Sequence, residues 1–131
     1  MCIRDSYIDG DGHLVHDLNI GGSHQMVRSP GPVPQGSERL GFNMARSSSG
    51  TKGVGSLIID DQVVARHETE NIFSLMISWS GLDIGLDRGT GVSHYQTPNV
   101  FTGELVKVTI DLADDQILDG EGMGRAEMMR E

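Results

Sequence analysis

The chain has 131 residues, enough for one domain that buries roughly two thirds of the surface its unfolded form exposes, so no disulfide staple is required. Its single cysteine excludes an intrachain disulfide, and 19 acidic against 10 basic residues give a net charge of -9 that repels phosphate backbones and anionic lipid. Nucleic acid and membrane surfaces are therefore poor partners, no apolar run reaches the length of a membrane span, and no signal-peptide h-region opens the chain.

Eighteen glycines beside three phenylalanines, two tyrosines and one tryptophan favour short strands and turns over long helices. Residues 1–6 show no alternation and read as a non-native or frayed start, so the domain pattern begins at Tyr7. Tyr7-Ile8, the turn Asp9-Gly10-Asp11-Gly12 and the run His13 to Leu18 predict a hairpin. Side chains alternate along a strand, which puts Leu14, His16 and Leu18 on one face and His13, Val15 and Asp17 on the other. A short strand follows at His24 to Arg28, ended by the proline run Pro30 to Pro34. Ser37 to Met44 alternates again, with Leu40, Phe42 and Met44 on one side.

A Ser/Gly-rich loop over Ala45 to Gly55 leads into the clearest hairpin, Leu57 to Ala65, whose β-branched runs flank Asp60-Asp61. Ile72 to Ser78 predicts another strand. Glu104 to Leu112 predicts the longest one, with Val106, Val108, Ile110 and Leu112 as its core face. Together these elements predict an all-β fold, an antiparallel β-sandwich of jelly-roll or lectin-like type, over residues 7–112, with a poorly structured acidic tail at 113–131.

Few side chains assemble into chemistry. Cys2 has no activating neighbour in sequence, and no other thiol exists to act as nucleophile, so no catalytic residue is assigned. His13 and His16, three apart on a strand, face opposite ways and cannot chelate one metal; surface or edge positions are expected for both. Asp9-Gly10-Asp11-Gly12 fails as an EF-hand, because the fifth, sixth and twelfth positions hold His13, Leu14 and Ile20. Asp83 and Asp87, in a glycine-punctuated loop, are weak candidates for a hard cation, with solvated carboxylates in a turn stack as the alternative. Trp79 and Tyr95 could stack on a sugar in a freestanding lectin-like carbohydrate-binding module; packing of Trp79 and tethering of a loop by Tyr95 explain the same residues.

The order of segments carries a resemblance. Leu57 to Val64, Ile72 to Leu75, Asp83-Ile84-Gly85-Leu86-Asp87 through Tyr95, and Phe101-Thr102-Gly103-Glu104-Leu105-Val106-Lys107-Val108-Thr109-Ile110-Asp111-Leu112 together resemble the C-terminal β-rich extension of bacterial arylsulfatases, of the formylglycine-dependent sulfatase family. His13 to Asn19 is similar to that family's Leu-Val-x-Asp-x-Asn strand, while Asp61 replaces a turn glycine and Gly91 replaces the proline before Val92. The resemblance implies a parent sulfuric ester hydrolase that uses formylglycine and calcium in an upstream α/β domain. Cys2-Ile3-Arg4-Asp5-Ser6 does not match the Cys-x-Pro-x-Arg motif that yields formylglycine. The expectation is a non-catalytic C-terminal domain fragment, inactive alone, whose partner is the catalytic sulfatase domain and which could support a homo-oligomer. Its compartment, bacterial cytoplasm or periplasm, is left open.

Overall fold

The computed structural model describes residues 2–47, 52–70, 72 and 82–111. Six strands, β1 (Cys2–Ile8), β2 (His13–Ile20), β3 (Ser23–Pro32), β4 (Leu40–Arg46), β5 (Gly53–Ile59) and β6 (Gln62–Thr69), form two antiparallel sheets in the orders β1-β2-β3 and β4-β5-β6. No described residue is helical. Each sheet is a meander, because short turns can join only antiparallel neighbours. The all-β antiparallel reading of the sequence holds.

The sheets meet through Leu14 and Val27 on one side and Leu57 and Ile59 on the other, with Phe42, Val64 and Ala65 packed at the margin. Leu57 is fully buried. His16 lies in the same interior at 4% exposure, its ring stacked on Phe42 with centroids 3.4 Å apart, which corrects the expected surface or edge position. Phe42 can lie there because Gly55, diagonal to it on β5, carries no side chain; a Cβ on Gly55 would stand 2.9 Å from the phenyl ring. Burial, with the Arg4 charge second, pushes the His16 imidazole down to about 3, so it is neutral near pH 7. Its Nδ1 meets Ser6 Oγ at 2.8 Å.

The turns explain the boundaries. Asp9 caps the β1–β2 turn by accepting from the backbone N–H groups of Asp11 and His13, each at 3.0 Å, which is a local aspartate turn rather than a cation loop. Asp60 and Asp61 both have positive φ, at 48° and 68°, the conformation a two-residue hairpin of this hand needs. The structure supports these strained aspartates externally: Asp60 accepts from the N–H groups of Glu38 and Arg39, and Arg39 holds Asp61 with Nη1 at 2.9 and 3.0 Å. Those backbone donors keep the Asp60 carboxyl below its ordinary value.

Three expectations change. β1 begins at Cys2, five residues before Tyr7, because Cys2 to Ser6 pairs with Ile20 to His16 despite its irregular pattern. β3 runs through Pro30 and Pro32 instead of ending there; it is an edge strand, where a missing N–H costs no ladder bond, and it carries two extra residues between the His13 and Val15 pairings, Ser29 to Gly31 standing opposite Leu14 alone. Ser29 fastens this bulge, accepting from Leu14 N–H at 3.0 Å and donating to the Gly31 carbonyl at 2.7 Å. Glu104 to Asp111 is not a strand: no described strand lies beside it to complete a ladder. Its supposed core face is exposed, with Val106 at 85%, Val108 at 50% and Ile110 at 64%. Leu112, the acidic tail and residues 73–78 of the expected Ile72 strand lie outside the described residues.

Two outcomes follow from this core. Leu57→Ala removes the most enclosed aliphatic side chain and should cost about 3 kcal/mol in denaturant unfolding. His16 binds a proton more readily unfolded, near pH 6.5, than folded, near 3, so its stabilising contribution is complete above about 6.5 and is lost as pH falls. Unfolding free energy should drop with a slope approaching about 1.4 kcal/mol per pH unit between about pH 6 and 4.5. His16→Leu should flatten that window; an unchanged slope would show that other groups produce it.

Candidate functional site

The first sheet is covered on both faces. Its inner row, including Leu14, His16 and Leu18, faces the second sheet, while Asp5, Tyr7, Val15, Asp17, Asn19 and His24 alternate onto the outer face. Val15 and Asp17 on that outer row are buried at 2% and 0% exposure, which a solvated face would not allow. Residues 82–95 lie over it as a strap.

Polar and ring contacts tie the strap to the sheet. Tyr95 Oη donates to the Asp5 carboxylate and lies 3.0 Å from Asp87 Oδ2. Tyr7 Oη meets Ser93 Oγ at 2.9 Å, Asn19 Nδ2 donates to the Val92 carbonyl at 3.0 Å, and His94 lies on His24 with ring centroids 4.5 Å apart. The Tyr7 and Tyr95 rings meet edge to face at 4.7 Å, an arrangement that favours the aromatic quadrupoles. The strap is also held in shape internally. Arg88 donates to Asp83 through its backbone N–H and guanidinium, Gly89 N–H donates to Asp87 Oδ1 at 3.1 Å, and Gly85 adopts φ 79° where Phe101 N–H reaches its carbonyl.

Three carboxylates surround this contact zone. Asp5 and Asp17 are directly opposite in register, and Asp87 reaches the same tyrosine hydroxyl as Asp5. Asp17 Oδ2 takes His24 Nδ1 at 2.6 Å, leaving the buried Oδ1 without a protein partner. Burial first, and then the Asp5 and Asp87 carboxylates, push the Tyr95 phenol up, so it remains a protonated donor. Burial also raises the Tyr7 phenol. Arg88 holds the Asp83 carboxyl below its ordinary value.

The two aspartates considered for a cation therefore diverge: Asp83 turns to Arg88, and Asp87 turns to Tyr95 and Gly89. Among the described residues, no three histidine, cysteine or acidic side chains are placed to hold a metal ion. Tyr95 is half-buried with its hydroxyl engaged and its ring against Tyr7, which is loop tethering; Trp79 lies outside the described residues. A groove of about 320 Å³ runs between the proline bulge of β3 and the β5–β6 turn, with Asp60 its one titratable group. The cavity beside His16, about 10 Å³, has room for no more than a single water.

Sequence reasoning missed Asp5, Asp17, His24, Ser93 and Asn19 as members of the contact zone. Asp5 sits in a hexapeptide set aside for its irregularity, Asp17 falls on one strand face with His13 and Val15 without a role, and His24 marks only the start of a short strand. The available signal was Tyr95 itself, a large side chain that needs a hydrogen-bond partner once covered. No family model, curated protein or solved structure matches the chain.

Tyr95→Phe keeps the ring contact but removes the donor to Asp5 and Asp87. The expected loss is about 1 to 2 kcal/mol, with amide exchange accelerated in residues 85–95 and unchanged in β5. Uniform acceleration across both sheets would contradict the tether.

Proposed function

We propose that the chain is a non-catalytic C-terminal domain of an arylsulfatase-like sulfuric ester hydrolase, packed in the parent protein against the catalytic domain. The observation that supports this reading is what the signature segment does: Asp83, Asp87 and Tyr95, which carry the resemblance, are engaged in shaping the strap and fixing it to β1. Their work is architectural. Asp83, Gly85 and Asp87 alternate with Leu82, Ile84 and Leu86, which remain exposed at 69%, 51% and 39%. Such an apolar row on a strap pinned from beneath suits an interface with a larger domain. Formylglycine, calcium and the sulfate-binding groups belong to that catalytic domain, and the resemblance matches none of their positions to this chain.

Two measurements test the reading. The purified chain should release no sulfate from an aryl sulfate above a heat-treated control, and release would overturn the non-catalytic assignment. The in-frame coding sequence upstream of Tyr7 should encode a Cys-x-Pro-x-Arg motif; an intact upstream frame of another class would overturn the parent enzyme.

A further inference from the structure

Both halves of an unmade strand pairing are present in this chain. β4 ladders only with β5, so among the described residues its other edge is open. Glu104 to Asp111 alternates like a strand, is exposed throughout and has no ladder. Open edges and unpaired β-segments recruit one another because each presents unsatisfied backbone donors and acceptors.

The side chains select one register. Arg39 and Arg46 are seven residues apart, as are Glu104 and Asp111. Antiparallel pairing that sets Arg46 opposite Glu104 also sets Arg39, which already holds Asp61, opposite Asp111. It then places Val106 opposite Met44, Val108 opposite Phe42 and Ile110 opposite Leu40, three apolar residues beside the row of β4 that faces the core. Lys107 falls opposite Asn43 on the outer face. A slip of two residues loses both charge pairs. A parallel alignment that keeps them puts Lys107 against Phe42 and turns the valines outward. Of the other terminal strands, β3 and β6 lie against each other, with the Thr69 hydroxyl donating to Gln25, and β1 presents Arg4, Ser6 and Ile8 on its inner row, a less apolar set than that of β4.

We propose that Glu104 to Asp111 adds as a fourth strand to the β4 edge of a second copy of this chain, in that antiparallel register. A second copy fits better than the chain's own edge. Phe101 N–H is bonded to Gly85, within the strap on the outer face of the first sheet, the side of the sandwich turned away from β4. Reciprocal exchange closes a two-fold dimer and removes an open edge from each protomer. The inference is independent of the sulfatase reading, since neither measurement in the preceding subsection bears on it.

The test uses the full chain with Cys2→Ser, into which Asn43→Cys and Lys107→Cys are introduced separately. When the two single variants are mixed and oxidised, a disulfide-linked heterodimer should predominate over either homodimer; Asn43→Cys mixed with Val106→Cys should yield several-fold less. Sedimentation should show a dimer that Glu104→Arg and Arg46→Glu each weaken several-fold and that the combined swap restores. A monomer at every soluble concentration would overturn the proposal. So would a cross-link formed only within a chain carrying both cysteines. Unchanged circular dichroism in the charge variants separates lost pairing from lost folding.

Discussion

The structure depends on burying β2 from both sides. A central strand with one wet face would need only its inner row, Leu14, His16 and Leu18, to be apolar or satisfied. Here Val15 and Asp17 on the opposite row are as deeply enclosed as their neighbours. The second sheet supplies one cover and the strap at residues 82–95 supplies the other. The two covers differ in chemistry. Aliphatic packing and a stacked His16–Phe42 pair close the inner side, and hydrogen bonds from tyrosine, serine and asparagine close the outer side.

That difference accounts for much of the residue usage. A neutral histidine is tolerated inside because Ser6 meets one ring nitrogen and Phe42 covers the ring. A fully buried aspartate is tolerated outside because His24 reaches it, although Oδ1, like His16 Nε2 on the inner side, stays without a protein partner at some cost to the fold. The strap earns its geometry from within: Asp83 with Arg88, and Asp87 with Gly89, preset the loop so that Tyr95 arrives over Asp5. Residues that look like ligands in sequence are therefore occupied in holding a cover in place.

The hairpins were legible because their signals are local. Asp9 to Gly12 and Asp60-Asp61 sit between alternating runs, and each turn forms where the alternation breaks. β1 and the proline-bearing half of β3 were not legible, since both owe their strand state to β2 as a partner and not to their own pattern. The reverse failure occurred at Glu104 to Asp111, where a strong strand pattern finds no ladder. Sequence alternation reports readiness to pair, whereas pairing itself requires an edge that only the tertiary arrangement provides. The candidate site was legible only through the strap: Asp83, Asp87 and Tyr95 stood out, while nothing local marked Asp5, Asp17 and His24 on the strands beneath as its partners.

Native-state amide hydrogen exchange tests two-sided burial of β2 most directly. If both covers are integral to the fold, the amides of Leu14 to Leu18 should exchange only through global unfolding, with the same opening free energy and denaturant dependence as those of Leu57 to Ile59 in β5. Exchange of the β2 amides through a lower, denaturant-independent opening, while β5 remains protected to the global limit, would contradict the account.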